Sequence, residues 1–456
     1  MTDTIDTTAL RAAIRGEVVA AGDERWDIAR QAFNLAVDQQ PAAVAFPDDA
    51  ADVAALLGHA RAEGLRVAPQ CTGHNAGSLA SLDRTILVKT SSLADVELDA
   101  GARRARVGAG TRWGGVVPGA SDRGLAALAG SAPGVGVVGY TLAGGMGWLA
   151  RRHGLACNSV ASIDVVTVDG AERHVDATSE PDLFWALRGA GGAFGVVTGL
   201  EVELFDVPEI HAGAFFWPIE RASDVLRRWL EVTAELPEEV TSLGRLLQFP
   251  PFPEIPEPMR GKAFVVVEAA CLLDEEQAAP LLAPLRELEP AMDTFATIPP
   301  AGLTELHMDP PDPVPGASGH LLLDGVTPET FDAILEVAGP GTGSPLVSLE
   351  VRQTGGALGR REEGAGALAA LDGTFSIFAV GAVPTPDLAT AVGERVTDLT
   401  AALAPWGSGQ YLNFTESATD ASSFFGHDVI DRLREVKASH DPDDVLVSAI
   451  SLPPAA

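Results

Sequence analysis

Two glycine-rich stretches constrain this chain more than any other feature. The longer, GSAPGVGVVGYTLAGGMGW, runs from Gly130 to Trp148, and the shorter, PQCTGHNAGS, runs from Pro69 to Ser78. Glycine at this density lets backbone N–H groups approach a ligand that side chains would otherwise hold away. Successive N–H groups of that kind form concave nests for phosphate oxygens. The plainer alternative is two flexible loops. Within the longer stretch Gly134, Gly136 and Gly139 satisfy the spacing G-x-G-x-x-G. A dinucleotide fingerprint, however, follows a hydrophobic strand and opens a helix. Here Ser131 and Pro133 precede it and Tyr140-Thr141 follow, so the spacing by itself does not define an NAD site.

A chain of 456 residues exceeds what one hydrophobic core usually organises, which predicts two or three lobes. The formal charge of −32 repels phosphate backbones and anionic lipid surfaces, and so argues against nucleic-acid or membrane partners. Cys71, Cys157 and Cys271 are odd in number and lack paired spacing, so no disulfide framework is expected. No apolar run reaches the ~20 residues of a membrane span, and the acidic start MTDTIDTT does not read as a signal peptide. A soluble, cytoplasmic protein without a metal site is the expectation, and the oligomeric state is not written in the sequence.

Residues 9–38 carry helix-like patterning, and 42–46 read as a short strand. Pro47-Asp48-Asp49 opens a helix with Val53, Leu56, Leu57 and Ala60 on one face, and Gly64 stands where a left-handed cap would end it. Residues 65–69 form the next strand, so a strand–helix–strand unit delivers the chain into the loop holding His74. Strands are expected at 85–90, 94–99 and 104–110, a helical region interrupted by glycines at 111–153, and a hairpin at 161–177. Residues 181–205 run from a helix through glycines into a strand. Beyond 206, strands at 264–273, 320–326, 345–354 and 374–383 alternate with helices at 222–236, 274–288, 327–338 and 386–403. Proline-rich connectors at 250–258 and 299–315 read as surface loops, and the final segment carries one strand and one amphipathic helix. No internal repeat is seen.

The motifs PAAVAFPDDAADV, Thr72-Gly73-His74, APGVGVVGYTLAGGMGW, RRHGLACNSV, PDLFWALRGAGGAFGVVT and the late YLNF with its following DP occur in that order. This set resembles the flavoproteins of the vanillyl-alcohol oxidase superfamily, and within it the bacterial berberine-bridge-enzyme-like oxidases. The resemblance covers nearly the whole chain, loosely in the second half. It implies an α+β protein with a two-lobed FAD-binding domain over residues 1–205, a substrate domain over 206–408 built on an antiparallel sheet covered by helices, and a segment 409–456 returning to the first domain. It implies an FAD-dependent oxidase that takes a hydride from a small alcohol, amine or activated carbon to flavin N5 and passes the electrons to O2, giving H2O2. A dehydrogenase with another acceptor and a flavin-binding protein without turnover are the alternatives. The partners implied are a small organic substrate and O2.

Few cations lie near the glycine loops, so the FAD pyrophosphate would rest on backbone amides. The resemblance assigns this to Cys71, Thr72, Gly73, Asn75, Ala76 and Ser78 in one loop, and to Ala132, Pro133, Val135, Gly136, Val138, Gly139, Tyr140, Leu142, Gly144 and Gly145 in the other. The adenine would lie in a flat apolar slot at Gly195, Val196, Val197 and Thr198. From composition His74 is a hydrogen-bonded loop histidine, whereas the resemblance makes it the residue bonded to the flavin 8α-methyl. Many relatives carry a second link through a cysteine, but the matching residue here is Ala132, which implies a single attachment. Tyr411 and Asn413 match a Tyr-x-Asn strand facing the flavin, with Tyr411 either the base that takes the substrate proton or a packing residue. Glu350 and Arg352 alternate on one strand, either as an ion pair or as substrate-orienting groups. Val135 matches the position that gates oxygen access.

Overall fold

The strand–helix–strand unit forms as the sequence predicts. Asp49 caps the helix Ala50–Glu63 by accepting a hydrogen bond from the Asp52 N–H at 3.0 Å, and Gly64 ends it at φ 62°. Val53, Leu56, Leu57 and Ala60 are fully buried on its inner face. The flanking strands Ala43–Phe46 and Arg66–Gln70 both run parallel to Thr85–Lys89, which lies between them. The strand Glu17–Ala20 adds antiparallel at the edge of this four-stranded sheet. The helix read at 9–38 is therefore not continuous: Thr7–Ala13 and Trp26–Ala29 are helical, and the stretch between them joins the sheet because Val18 and Val19 bury themselves there. The computed structural model describes residues 7–79, 81–250, 255, 257 and 259–452.

A second, five-stranded antiparallel sheet follows, in the order Val96–Asp99, Arg104–Gly108, Val196–Glu203, Val160–Val166, Glu172–Asp176. Its last two strands are the hairpin expected at 161–177. The region 111–153 is less helical than its composition suggests. Only Val117–Ser121, Val137–Leu142 and Ala150–His153 are α-helical, because the glycine stretch between them is committed to turns.

Residues 210–409 build a nine-stranded antiparallel sheet around Ile210–Pro218, Val240–Gln248, Ala263–Cys271, Ser348–Gln353, Phe375–Ala382 and Gly316–Leu323. Strands 210–218 and 240–248 have no counterpart in the sequence reading; both are buried almost end to end, which erases the alternation by which a half-buried strand is recognised. Period-two alternation sorts the side chains of this sheet. Trp217, Leu246, Val265, Val267, Leu349 and Val351 face a layer formed by the helices Ala222–Thr233, Glu275–Arg286, Pro328–Ala338 and Pro386–Leu403. Trp229 and Phe331 from those helices are completely buried against it, each contributing about 2–3 kcal/mol of hydrophobic stabilisation. The opposite parity, including Arg245, Glu268, Glu350 and Arg352, lies on the other face, where Leu243 and Ala270 pack with Trp148 and Leu149.

The connector 250–258 lies largely outside the described residues. The connector at 299–315 is not a bare loop, since Leu303–Leu306 is helical and Val314 bridges to Asn34. The C-terminal segment turns back onto the first sheet. The Val67 N–H donates to the Val445 carbonyl and the Val447 N–H to the Val67 carbonyl, both at 2.8 Å. Lys437, itself buried, donates to Asp441 at 2.5 Å and to the Ala193 carbonyl at 3.2 Å, fastening the helix His427–His440 in place.

Candidate active site

Three segments far apart in sequence meet at one place in the fold. The Cys71–Ser78 loop meets the glycine stretch at Gly136, where an added Cβ would lie 2.9 Å from Cys71 Sγ. The same loop meets the third segment through Asn75, whose side-chain N–H donates to the Leu412 carbonyl at 3.1 Å. That third segment grips the glycine stretch: Asn413 donates to the Tyr140 carbonyl at 2.9 Å and accepts from the Gly145 N–H at 3.4 Å. Gly144 has φ 131°, and a Cβ there would come within 2.8 Å of the Tyr411 ring. Only glycine permits that turn and that approach together.

Several buried polar atoms in this cluster have no hydrogen-bond partner among the described residues: Tyr140 Oη, Thr141 Oγ1 and Asn75 Oδ1. Leaving such a group unmet costs about 1–3 kcal/mol, so their concentration beside a glycine cradle fits a large cofactor with many polar edges. Val138 and Leu142 turn inward to the core, Ala132, Pro133 and Val135 are half-buried in the turn before them, and Ala76 and Ser78 are buried within the His74 loop.

His74 is held as a neutral imidazole. Its ring stacks on Phe33 at 3.7 Å with planes 13° apart, and Nδ1 bonds Thr72 Oγ1 at 2.7 Å. Burial, helped by the Arg112 charge and opposed by Asp309, pushes its pKa down to about 4. Cys71 and Cys157 are free thiols whose pKa values are raised by burial, Cys157 to about 12, which suits packing rather than reactivity.

Two expectations are corrected. Tyr411 and Asn413 do not alternate on a strand; Leu412–Phe414 is a 3-10 turn, and Tyr411 enters it with its N–H donating to His320 Nε2 at 2.6 Å. Burial, with Tyr140 and Cys157 nearby, pushes the Tyr411 phenol well above 10, against the lowering effect of the Met146 and Gly145 N–H groups. The flat slot at Gly195–Val197 is instead a close meeting of strands. A Cβ at Gly195 would lie 2.4 Å from Val165 Cγ2, and Val196 and Val197 are buried in the cores on either side of the sheet.

Glu350 and Arg352 are members of a larger buried set that sequence reasoning missed. Arg245 donates to Glu268 at 3.0 Å, to Ser348 Oγ at 2.8 Å and to the His307 carbonyl at 2.8 Å. His307 lies between two carboxylates, with Nδ1 2.5 Å from Glu268 and Nε2 3.0 Å from Glu350. Burial and Arg245 oppose its protonation, but Glu268 and Asp309 outweigh them and raise its pKa to about 9. Burial would raise the Glu350 pKa, yet Arg352 and His307 hold it down to about 2. The signal available in sequence was a single charge inside an apolar run, Arg245 in SLGRLLQ and Glu268 in VVVEAA. No group of three or more His, Cys, Asp or Glu among the described residues is placed to hold a metal ion, and no helix among them is long and apolar enough to cross a membrane.

This fold, with its glycine cradle, defines an FAD-binding protein. Residues 41–176 match the family model described as an FAD binding domain. The chain is 32% identical over 231 residues to (R)-6-hydroxynicotine oxidase of Paenarthrobacter nicotinovorans, covering 50% of each chain. It is 36% identical over 190 residues to glucooligosaccharide oxidase of Sarocladium strictum, covering 41% of this chain and 38% of that one. The matched stretch thus spans half or less of these curated relatives. Among solved structures, 6-hydroxy-D-nicotine oxidase of Arthrobacter nicotinovorans superposes with TM-score 0.83 at 25% identity over 96% of this chain and 97% of that one. Berberine bridge enzyme of Eschscholzia californica, at 19% identity and TM-score 0.81 over 98% of both chains, shares the fold.

Proposed function

We propose that this protein is an FAD-dependent oxidase of a small organic molecule bearing an alcohol, an amine or an activated carbon. The observation that carries this reading is the convergence of the His74 loop, the glycine stretch and the Tyr411–Asn413 turn on a cluster of unpartnered buried polar groups. Oxidases of hydroxynicotine and of oligosaccharides among the relatives support it.

In this reading residues 1–205 and 409–456 hold FAD, and the sheet domain of 206–408 covers it and receives substrate. Backbone amides of 71–78 and 133–145 hold the pyrophosphate, and Tyr140 and Thr141 give hydrogen bonds to the cofactor's polar edges. His74 carries the cofactor covalently through its ring. When Thr72 Oγ1 accepts from Nδ1–H, Nε2 keeps its lone pair, and the low pKa keeps it unprotonated at neutral pH. With Ala132 where a second link would start, the attachment is single. The bound flavin supplies hydride acceptance and reaction with O2. The protein supplies position, exclusion of water, and a proton acceptor at Tyr411 Oη, which serves as base only in its ionised form.

A screen of candidate substrates under anaerobic conditions tests the proposal: a substrate bleaches the flavin, and admitting O2 restores the colour with release of H2O2. A holoprotein that no alcohol, amine or activated carbon compound reduces would favour a binding protein without turnover.

A further inference from the structure

We infer that Arg352 anchors a carboxylate on the substrate, which deepens the oxidase reading by naming a substrate class and rests on it. The buried set on the sheet holds three cations, Arg245, His307 and Arg352, against two carboxylates, Glu268 and Glu350, which leaves one surplus positive charge. Asp309 lies near His307 but also near His74, with Arg112 on that side, so it does not cancel the surplus.

The surplus is localised by counting donors. Arg245 places its N–H groups on Ser348, Glu268 and the His307 backbone, and both His307 ring nitrogens are bonded. Arg352, only 5% exposed, reaches Glu350 through Nη2 alone, at 3.3 and 3.4 Å from the two carboxylate oxygens, and its Nε has no partner among the described residues. A guanidinium carries five N–H donors in a planar fork, shaped to give a carboxylate two parallel hydrogen bonds.

The surroundings favour an anion. The Arg352 guanidinium lies 5.6 Å from the Trp148 ring, close to the Tyr140 phenol, and Trp148 Nε1 is also an unpartnered donor. A cationic substrate would meet a surplus of like charge here, and a polyol would leave that charge unmatched. Arg352 arises from the nine-stranded sheet, outside the glycine cradle, so its partner belongs on the substrate side.

Calorimetry on the holoprotein tests this without turnover, using benzoate against benzamide and propionate against propionamide. At least one acid is expected to bind tenfold or more tightly than its amide, with the preference lost in Arg352→Gln and weakened in Arg352→Lys, which keeps the charge but not the fork. Should the glutamine variant not fold, the wild-type pairs and the lysine variant decide the matter. No preference for either acid, or a preference untouched by these substitutions, overturns the proposal. Acid binding through Arg352 in a protein that never passes electrons to O2 would remove the oxidase reading and leave the anion site standing.

Discussion

Asn413 holds the glycine stretch from both sides of a turn, donating to the Tyr140 carbonyl across 273 positions of sequence while accepting from the Gly145 N–H. The C-terminal segment is thereby part of the cradle rather than an appendage. Asn413→Ala removes both bonds and leaves a buried carbonyl unmet, at a cost of about 1–3 kcal/mol. Asn413→Asp also sets a carboxylate against that carbonyl and is expected to be worse. Thermal melts, together with flavin content in a His74→Ala background, check this. Unchanged melting and retention in both variants would make the contact incidental.

The histidyl attachment predicts one flavin-modified peptide in a tryptic digest, containing His74 and no cysteinyl link. His74→Ala should still bind FAD, noncovalently and at lower reduction potential. Mass spectrometry that finds only free flavin in the wild type would contradict it.

The buried Tyr411 phenol gives the proton-transfer step a distinctive pH dependence. A base that acts when ionised, with a pKa raised above 10, makes flavin reduction climb about tenfold per pH unit through the neutral range. Tyr411→Phe keeps the ring against Phe414, so fold and flavin content should survive while reduction slows by roughly 10²–10⁴-fold. A flat pH profile in the wild type would reassign Tyr411 to packing and hydrogen bonding.

Stability should fall on both sides of neutrality, for opposite reasons. Burial pushes the His320 pKa down to about 4 from an ordinary 6.5. The unfolded chain therefore binds a proton that the native state refuses, and stability is lost as pH falls from 6.5 through 4, by on the order of 3 kcal/mol. His307, raised to about 9 from 6.5, stabilises fully below 6.5 and loses that contribution as pH rises through 9. Melting curves from pH 4 to 10 should show His320→Gln flattening the acid limb and His307→Gln the alkaline limb. Limbs that keep their slopes in these variants would assign the pH dependence to other groups.

What was legible in the sequence was local. The capped helix before the His74 loop and the hairpin at 160–176 are set by neighbouring residues, and both formed as read. The Tyr411–Asn413 conformation was not legible, because His320, Asn75 and Tyr140 hold it from three remote parts of the chain and override the strand-like alternation. The helix-like patterning over 9–38 was overridden likewise in part, since pairing with 43–46 outweighs helical periodicity around Val18 and Val19. The buried ion set was half visible. Glu350 and Arg352 share a strand, whereas Arg245, Glu268 and His307 are brought to them only by the sheet register and the turn after 306.

The central claim, that the chain holds FAD and returns its electrons to O2, can be measured without knowing the substrate. The holoprotein is photoreduced anaerobically and mixed with oxygenated buffer in a stopped-flow instrument. The account predicts return of the oxidised-flavin spectrum within seconds, with one H2O2 formed per flavin. It also predicts that Val135→Leu, which adds a methylene beside the Gly136 turn, slows this step far more than reduction by substrate. Reoxidation that takes minutes while a quinone dye accepts electrons quickly would contradict the account and make the protein a dehydrogenase.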